Sequence, residues 1–150
     1  MSAKAALSPD ELARACADAM WQEDNACQGL GIELVRIAPG EAVMAMTVLP
    51  HMVNGHGIAH GGFIFTLADS AFAYACNSRG DRAVAAQGQI SFIRAGKIGD
   101  RLIATAREIS RSGRSGICDV HVSVGETIIA EFRGHSSSVD GRWVASTETK

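Results

Sequence analysis

The segment from Gly61 to Ser78 constrains the fold of this chain more than any other. It reads GGFIFTLADSAFAYACNS, is rich in alanine and is too long for a single strand, and Gly80 follows it as a stop signal. Apolar side chains would lie on all sides of a helix with this sequence. We therefore predict a buried central helix over residues 61–78.

Asp69 is the only acidic or basic side chain in this segment. Burying an unpaired carboxylate is costly unless it is hydrogen-bonded or its pKa rises, and catalytic sites are where that cost recurs. Two interpretations stay open on this basis. Asp69 is either a catalytic carboxylate or a structural one that is bonded to the hydroxyls of Thr66 or Ser70 or reaches solvent at the edge of the sheet.

Two glycines, Gly61 and Gly62, open the helix directly after His60. Free backbone N–H groups and the positive end of the helix dipole would face a space that no side chain crowds, and such a site suits a developing oxyanion. A tight entry from loop to helix, in which glycine only relieves strain, explains the same pair.

Geometry links the two candidate groups. Gly61 and Asp69 are eight residues apart, or about 12 Å along a helix. Groups that bind a carbonyl oxygen and attack its carbon must each lie within about 3 Å of the reacting atoms. One helix cannot supply both, so a shared reaction predicts a two-fold homodimer in which Asp69 comes from the neighbouring subunit.

The rest of the chain predicts one domain over residues 1–150. Ser8 can cap a helix over about 9–21, with Pro9 at its first position and Glu11 completing a capping box. Alternating or apolar runs predict six strands in a mainly antiparallel sheet, and the polar end, from about 141 to 150, predicts a frayed tail. The strands are expected at 32–37, 41–48, 83–92, 101–109, 117–124 and 127–134.

Composition narrows the classes of function. A net charge of −2 gives no long-range attraction to nucleic acid or to anionic membranes, and no run of apolar residues is long enough to span a bilayer. The four cysteines stand singly, which favours reduced thiols in a cytoplasmic protein over a disulfide framework or a metal site. We expect no metal and no cofactor.

The run from Asn54 to Phe72, NGHGIAHGGFIFTLADSAF, resembles the signature of the hotdog-fold acyl-CoA thioesterases, most closely those of phenylacetic acid degradation. The segments 72–78 (FAYACNS), 92–96 (FIRAG) and 132–134 (FRG) extend the resemblance, although Ala95 stands where proline is common. It implies an α+β hotdog fold, in which an antiparallel sheet wraps around a long helix. It also implies dimers joined edge to edge and, usually, tetramers.

The resemblance further implies roles for four residues. Asp69 would be the catalytic carboxylate, Gly61 the oxyanion donor, and Asn54 and His60 would position the thioester. Coenzyme A would enter as part of the substrate. We expect Gly62, Phe65 and Phe72 to contact that substrate.

The turn from Ser110 to Gly116 offers a candidate phosphate site. Arg111, Arg114 and Ser115 could hold the phosphates of coenzyme A, since guanidinium groups match phosphate oxygens. A solvated hairpin tip is the alternative. The loop histidines His51 and His56 are interpreted as structural or as lining the pocket.

The leading hypothesis is hydrolysis of phenylacetyl-CoA, or of ring-hydroxylated, related aryl or medium-chain acyl-CoA, in aromatic catabolism. Two alternatives remain: a hydratase or dehydratase acting on enoyl or hydroxyacyl thioesters, in which His60 would transfer protons, and a non-catalytic acyl-CoA binding module.

Overall fold

The computed structural model of the protein describes residues 5–145, which form an antiparallel sheet of six strands in the order β1-β2-β4-β5-β6-β3, with one long helix packed against it. The predicted α+β architecture is confirmed. The elements are α1 (Pro9–Glu23), α2 (Asn25–Gly29), β1 (Glu33–Ala38), β2 (Glu41–Thr47), a 3₁₀ turn (Pro50–Met52), α3 (Gly61–Cys76), β3 (Asp81–Phe92), β4 (Arg101–Ser112), β5 (Ser115–Val124) and β6 (Thr127–Arg142).

Local signals explain where the first helices begin. The Ser8 hydroxyl accepts a hydrogen bond from the Glu11 N–H at 3.2 Å, so the predicted cap starts α1 at Pro9. The helix continues to Glu23, two residues past the predicted end. Asp24 then caps α2 by accepting from the Cys27 N–H at 3.0 Å. None of the described helices is long and apolar enough to cross a membrane.

Alternation along the strands places the core between the sheet and α3. In β5, Cys118, Val120 and Val122 are buried, whereas Asp119 and His121 between them are not, as period-two patterning requires. The same alternation in β2 and β4 adds methionine, leucine and alanine to a single core cluster that includes α3. This packing leaves the N-terminal end of α3 facing the preceding loop and the end of β3, and the candidate site lies there.

The central helix is less buried than its hydropathy predicts, and it ends at Cys76 instead of Ser78. Gly62 is exposed, and Thr66, Asp69 and Ala73 are partly exposed, so one stripe of α3 is left uncovered by the sheet. Gly62, Thr66 and Ala73 are small and barely lower the mean hydropathy of the helix, so only Asp69 marked this stripe in the sequence.

Strand β6 runs eight residues further than predicted, and its extension holds the chain where a frayed tail was expected. The buried side chain of Asn77 accepts hydrogen bonds from the Trp143 indole N–H at 2.7 Å and from the Ala83 N–H at 2.8 Å. The Arg82 guanidinium lies 4.0 Å from the centroid of the Trp143 ring, a cation–π contact. The frayed tail predicted from 141 is thus corrected as far as Trp143, and its last part, 146–150, lies outside the described residues.

Strand β3 forms one edge of the sheet. It pairs with β6 on one side, and no strand of the described chain covers its other side. Most of its twelve residues are exposed. A long edge of unpaired backbone N–H and C=O groups is a surface on which another strand can pair.

Candidate active site

The N-terminus of α3 leaves one backbone N–H free. The His60 Nδ1 accepts a hydrogen bond from the Gly62 N–H at 2.9 Å, and the His60 carbonyl accepts from Phe63 at 3.0 Å and Ile64 at 3.5 Å. Within residues 5–145, the Gly61 N–H has no acceptor. It is therefore the N–H of the first turn that remains available to a ligand.

The hydrogen bond that His60 accepts at Nδ1 also determines the tautomer of its neutral imidazole. A neutral ring that accepts a hydrogen bond at Nδ1 carries its proton on Nε2, so His60 presents an N–H donor to its surroundings. The free nitrogen of His60 is then a hydrogen-bond donor and not a general base.

The preceding loop is held in place from both sides. The Asn54 Oδ1 accepts from the His56 N–H at 2.9 Å and from the Ile58 N–H at 3.4 Å, which leaves the Asn54 amide NH₂ without an acceptor in the described part of the chain. The Ala59 N–H donates to the Gly96 carbonyl at 2.8 Å and the His60 N–H to the Met52 carbonyl at 2.7 Å, so the loop is held by the segment after β3 and by the 3₁₀ turn. Both Asn54 and His60 thus reach the start of α3.

A cavity of about 430 Å³ opens beside the free N–H. Its wall combines apolar side chains with a few polar groups, a composition typical of small-molecule sites. The residues that matter here are Asn54, Ile58, Gly61, Ile64, Phe92 and Arg94.

Phe92 shapes this cavity at its closest point to the helix. The ring Cζ lies 2.7 Å from where a Cβ of residue 61 would stand, so only glycine fits at position 61 without moving the ring. Phe92 is nevertheless 54% exposed, because β3 ends there. Neither Phe92 nor Arg94 was among the residues predicted to act, although both occur in the FIRAG segment.

Asp69 lies two turns further along α3, on the uncovered stripe and outside the lining of the cavity. Burial raises the pKa of its carboxyl group. Its carboxylate has no hydrogen bond or ion pair with any residue in 5–145, and the Ser70 hydroxyl donates to the Thr66 carbonyl instead. Within one chain, therefore, Asp69 and Gly61 are not brought together.

The three residues expected to contact the substrate differ in how deeply they are buried. Gly62 is exposed at the helix start. The Phe65 ring is half-buried and packs edge-on against Phe132, with centroids 5.4 Å apart. Phe72 is 1% exposed and packs against Gly134. A substrate role for Phe72 is thus not supported, because its ring fills the core.

The arginines expected to hold phosphates lie at the other end of α3. Arg111 is 3.7 Å from the carboxylate of Glu108, and Arg114 donates to the Ser138 carbonyl at 3.0 Å. Both line a small cleft with Cys76 and Ser115, at the C-terminal end of α3. Neither lines the cavity that contains Gly61 in the same chain. Arg114 donates to a carbonyl, whereas Arg111 has an ion pair but no hydrogen bond within residues 5–145.

The arrangement suits one kind of chemistry. A free N–H at a helix start can stabilise the negative charge that develops on a carbonyl oxygen, and a carboxylate with a raised pKa can activate water or attack directly. Within residues 5–145, no group of three histidine, cysteine or acidic residues could hold a metal ion. The fold and this site define a hotdog-fold thioester hydrolase.

Comparison with known proteins agrees with that class. The model of the thioesterase superfamily matches residues 56–130, and the chain belongs to this family. The acyl-coenzyme A thioesterase PaaI of Escherichia coli (strain K12) is 44% identical over 126 residues, which cover 83% of this chain and 90% of that protein.

Solved structures give the same result. The structure of the E. coli PaaI protein from the phenylacetic acid degradation operon superposes with a TM-score of 0.88 at 41% identity, covering 90% of this chain and 99% of that one. The protein smu.793 from Streptococcus mutans UA159, solved bound to acetyl CoA, superposes with a TM-score of 0.71 at 28% identity over 74% of this chain and 90% of that one. The predicted resemblance is confirmed.

Proposed function

We propose that this protein hydrolyses acyl-CoA thioesters, with phenylacetyl-CoA or a ring-hydroxylated, related aryl or medium-chain acyl-CoA as the acyl donor. The observation that carries this proposal is the free Gly61 N–H in the wall of a cavity beside the start of α3. The names of the E. coli relative and of the acetyl-CoA-bound S. mutans structure support the CoA thioester as substrate. A role in aromatic catabolism in the cytoplasm fits such a substrate.

The site requires two subunits. Asp69 and Gly61 lie about 12 Å apart along α3, so the carboxylate at each oxyanion donor is Asp69 of the partner subunit. The uncovered edge of β3 and the uncovered stripe of α3 are the surfaces on which a second copy would pack. A homodimer therefore has two shared sites, and a tetramer of two such dimers remains a prediction.

The reaction then proceeds at the thioester carbonyl. The Gly61 N–H and the helix dipole stabilise the oxyanion, and the carboxylate of the partner's Asp69 takes a proton from the attacking water. When the tetrahedral intermediate collapses, the C–S bond breaks, and the thiolate of coenzyme A takes up that proton. If Asp69 is a nucleophile instead, a mixed anhydride forms and water hydrolyses it to the same two products.

A substrate panel tests the proposal directly. The purified protein would be assayed for release of free thiol from phenylacetyl-CoA, hydroxyphenylacetyl-CoA, octanoyl-CoA and acetyl-CoA. We expect turnover, with the highest kcat/KM on an aryl or medium-chain substrate. Absence of turnover on every member, together with tight binding of acyl-CoA, would establish the binding module instead.

The hydratase alternative depends on a proton-transferring histidine. The Gly62 N–H occupies the Nδ1 lone pair of His60, and Nε2 carries the proton, which argues against His60 as a base. Incubation with crotonyl-CoA should produce no 3-hydroxybutyryl-CoA, measured by chromatography of the products. Hydration faster than thiol release would reverse the assignment.

Mixing two inactive variants tests the shared site. Asp69→Asn lacks the carboxylate and Gly61→Pro lacks the N–H, so a heterodimer of the two would contain one intact site. We expect activity to return when the two are refolded together. Inactive heterodimers, isolated by two different affinity tags, would exclude a site shared in this way.

A further inference from the structure

The ring of Phe63 joins the start of α3 to the 3₁₀ turn, because it contacts one imidazole from each. Its centroid is 6.2 Å from that of His60, with the ring planes at 84°, and 6.2 Å from that of His51, with the ring planes at 85°. Both are edge-to-face arrangements, a geometry in which aromatic rings attract one another. His51 and Phe63 are distant in sequence, so the second contact depends on the fold and not on helix spacing.

The Phe63 ring and the 3₁₀ turn are both anchored in the core. Phe63 is partly buried and packs against the hydrophobic core, and Met52, the neighbour of His51, is fully buried. The Met52 carbonyl also accepts a hydrogen bond from the His60 N–H at 2.7 Å. Phe63 is thus an anchored support for two imidazoles that are themselves exposed.

The His60 imidazole needs such a support. Within residues 5–145, its only hydrogen bond is the one that Nδ1 accepts from the Gly62 N–H at 2.9 Å. The χ2 torsion of histidine has broad energy wells, so one hydrogen bond leaves the direction of the opposite nitrogen loosely set. Contact with the Phe63 ring is a second constraint on the imidazole. Together the two constraints restrict where the Nε2–H points.

We propose that Phe63 is a positioning residue for the hydrolysis of the thioester. Its ring, supported by His51, holds the His60 imidazole so that the Nε2–H is directed at the bound thioester. This assignment rests on the proposed function, in which His60 positions the substrate. The Phe63 side chain has no donor or acceptor of its own, so its effect on the reaction passes through His60.

A double-mutant cycle separates this role from direct contact with the substrate. Phe63→Leu keeps an apolar side chain on the core but removes the ring. We expect it to lower kcat on the best acyl-CoA substrate about fivefold, the equivalent of one lost aromatic pair, with little change in KM. In the His60→Ala background, the same substitution should leave kcat unchanged, since no imidazole is left to hold.

Phe63→Tyr tests whether the ring itself is required. It keeps the ring, and its added hydroxyl can reach solvent because position 63 is only partly buried, so kcat should stay within about twofold of the wild type. Trp21→Leu is the matched control. It removes another half-buried ring that packs on α3, 6.5 Å from the Tyr74 centroid, and it should leave kcat unchanged.

His51→Ala tests the same support without altering the core. His51 is exposed, so this variant should fold even if Phe63→Leu does not. It removes one of the two imidazoles that contact Phe63 and leaves the other in place. We expect kcat to fall about twofold, less than in Phe63→Leu, and to be unaffected when His60 is already replaced by alanine.

An NMR spectrum of the imidazole nitrogens gives a readout that requires no turnover. The chain has five histidines, so isotope-labelled histidine gives few signals, and His60→Asn identifies the signals of His60. We expect His60 to be the Nε2–H tautomer in the wild type, in Phe63→Tyr and in Trp21→Leu. In Phe63→Leu the ring should leave its hydrogen bond part of the time and show a mixture of both tautomers.

Three results would overturn the assignment to Phe63. They are an unmixed Nε2–H tautomer in Phe63→Leu, an unchanged kcat in both Phe63→Leu and His51→Ala, and a loss of kcat that is the same with and without His60. A wild-type protein in which the tautomer of His60 depends on Phe63, but which hydrolyses no thioester, would overturn only the proposed function.

Discussion

The ring of Phe92 lies against Gly61 so closely that its Cζ is 2.7 Å from the position of a Cβ at residue 61. This contact joins the end of the edge strand β3 to the first residue of α3. It places an apolar ring in the wall of the cavity that contains Gly61. The requirement for glycine at position 61 is therefore steric, because any residue except proline would supply the same backbone N–H.

Gly61→Ala should lower kcat/KM by at least about 100-fold, because the new methyl group displaces Phe92 while the N–H itself is kept. Steady-state kinetics on the best acyl-CoA substrate measure this. Gly55→Ala is the control, since a Cβ at residue 55 meets nothing within 4 Å. The double variant Gly61→Ala/Phe92→Ala should recover part of the loss, and no recovery would show that the ring is not the obstacle.

His60→Ala should destabilise the protein by about 1 kcal/mol, because the N-cap of α3 is lost. It also releases a second N–H, that of Gly62, next to the Gly61 N–H that we propose as the oxyanion donor. His60→Asn keeps a cap acceptor, so we expect it to restore thermal stability but only part of kcat, as the Nε2 donor is missing. Complete recovery of kcat in His60→Asn would show that His60 only caps the start of α3.

Asp69→Asn should lower kcat by at least about 100-fold and raise the Tm at neutral pH. Burial raises the pKa of Asp69, so the folded state binds its proton more tightly than the unfolded chain does. The wild type therefore loses stability relative to Asp69→Asn as the pH rises from about 4, until the folded carboxylate is ionised. Above that pH the difference should stay constant.

Melting curves of both proteins between pH 4 and pH 8, about the range over which carboxylates ionise, measure this trend. Asp18→Asn, which removes an exposed carboxylate of α1, serves as the control and should keep full activity. A difference in Tm that shrinks with rising pH would contradict the raised pKa. The same shift predicts that the acid limb of the kcat/KM profile lies above the range of an ordinary aspartate.

Asn77→Ala should be among the most destabilising single changes in the chain. The Asn77 side chain is 2% exposed and bonds to Ala73, Ala83 and Trp143, so its removal leaves buried partners unsatisfied, at a cost of about 2–4 kcal/mol. Trp143→Phe removes only one of these donors and should cost about 1 kcal/mol. Thermal unfolding at one fixed protein concentration compares the two variants. Equal losses of stability would mean that the hydrogen bond from Trp143 accounts for the whole contribution of Asn77.

Local signals were sufficient for much of the fold. Ser8 and Pro9 define the start of α1, and the length and alanine content of residues 61–76 define α3. The last eight residues of β6 could not be predicted, since a serine-rich segment ending in Asp140-Gly141 has the composition of a loop. Its strand conformation depends on β3, which is distant in sequence and supplies the hydrogen bonds.

The residue types of the candidate site could be predicted from the sequence, but the contacts between those residues could not. The HGG run indicated an N–H donor and Asp69 a carboxylate. Their spacing along the helix indicated that the two groups lie about 12 Å apart in one chain. Whether the Arg111 side chain lies near the Glu108 carboxylate depends on the path of β4 after folding, and a sequence contains no direct sign of that. The contact of Phe92 with Gly61 joins positions 31 residues apart and has no local signal either.

The proposed dimer, paired at the open edge of β3, would make catalysis depend on protein concentration. If two copies must pair there to complete a site, dilution below the dissociation constant of the dimer separates the carboxylate from the oxyanion donor, although each chain stays folded. Specific activity should then fall steeply in assays at low enzyme concentration. A cell that makes little of this protein would lose its activity faster than it loses the protein.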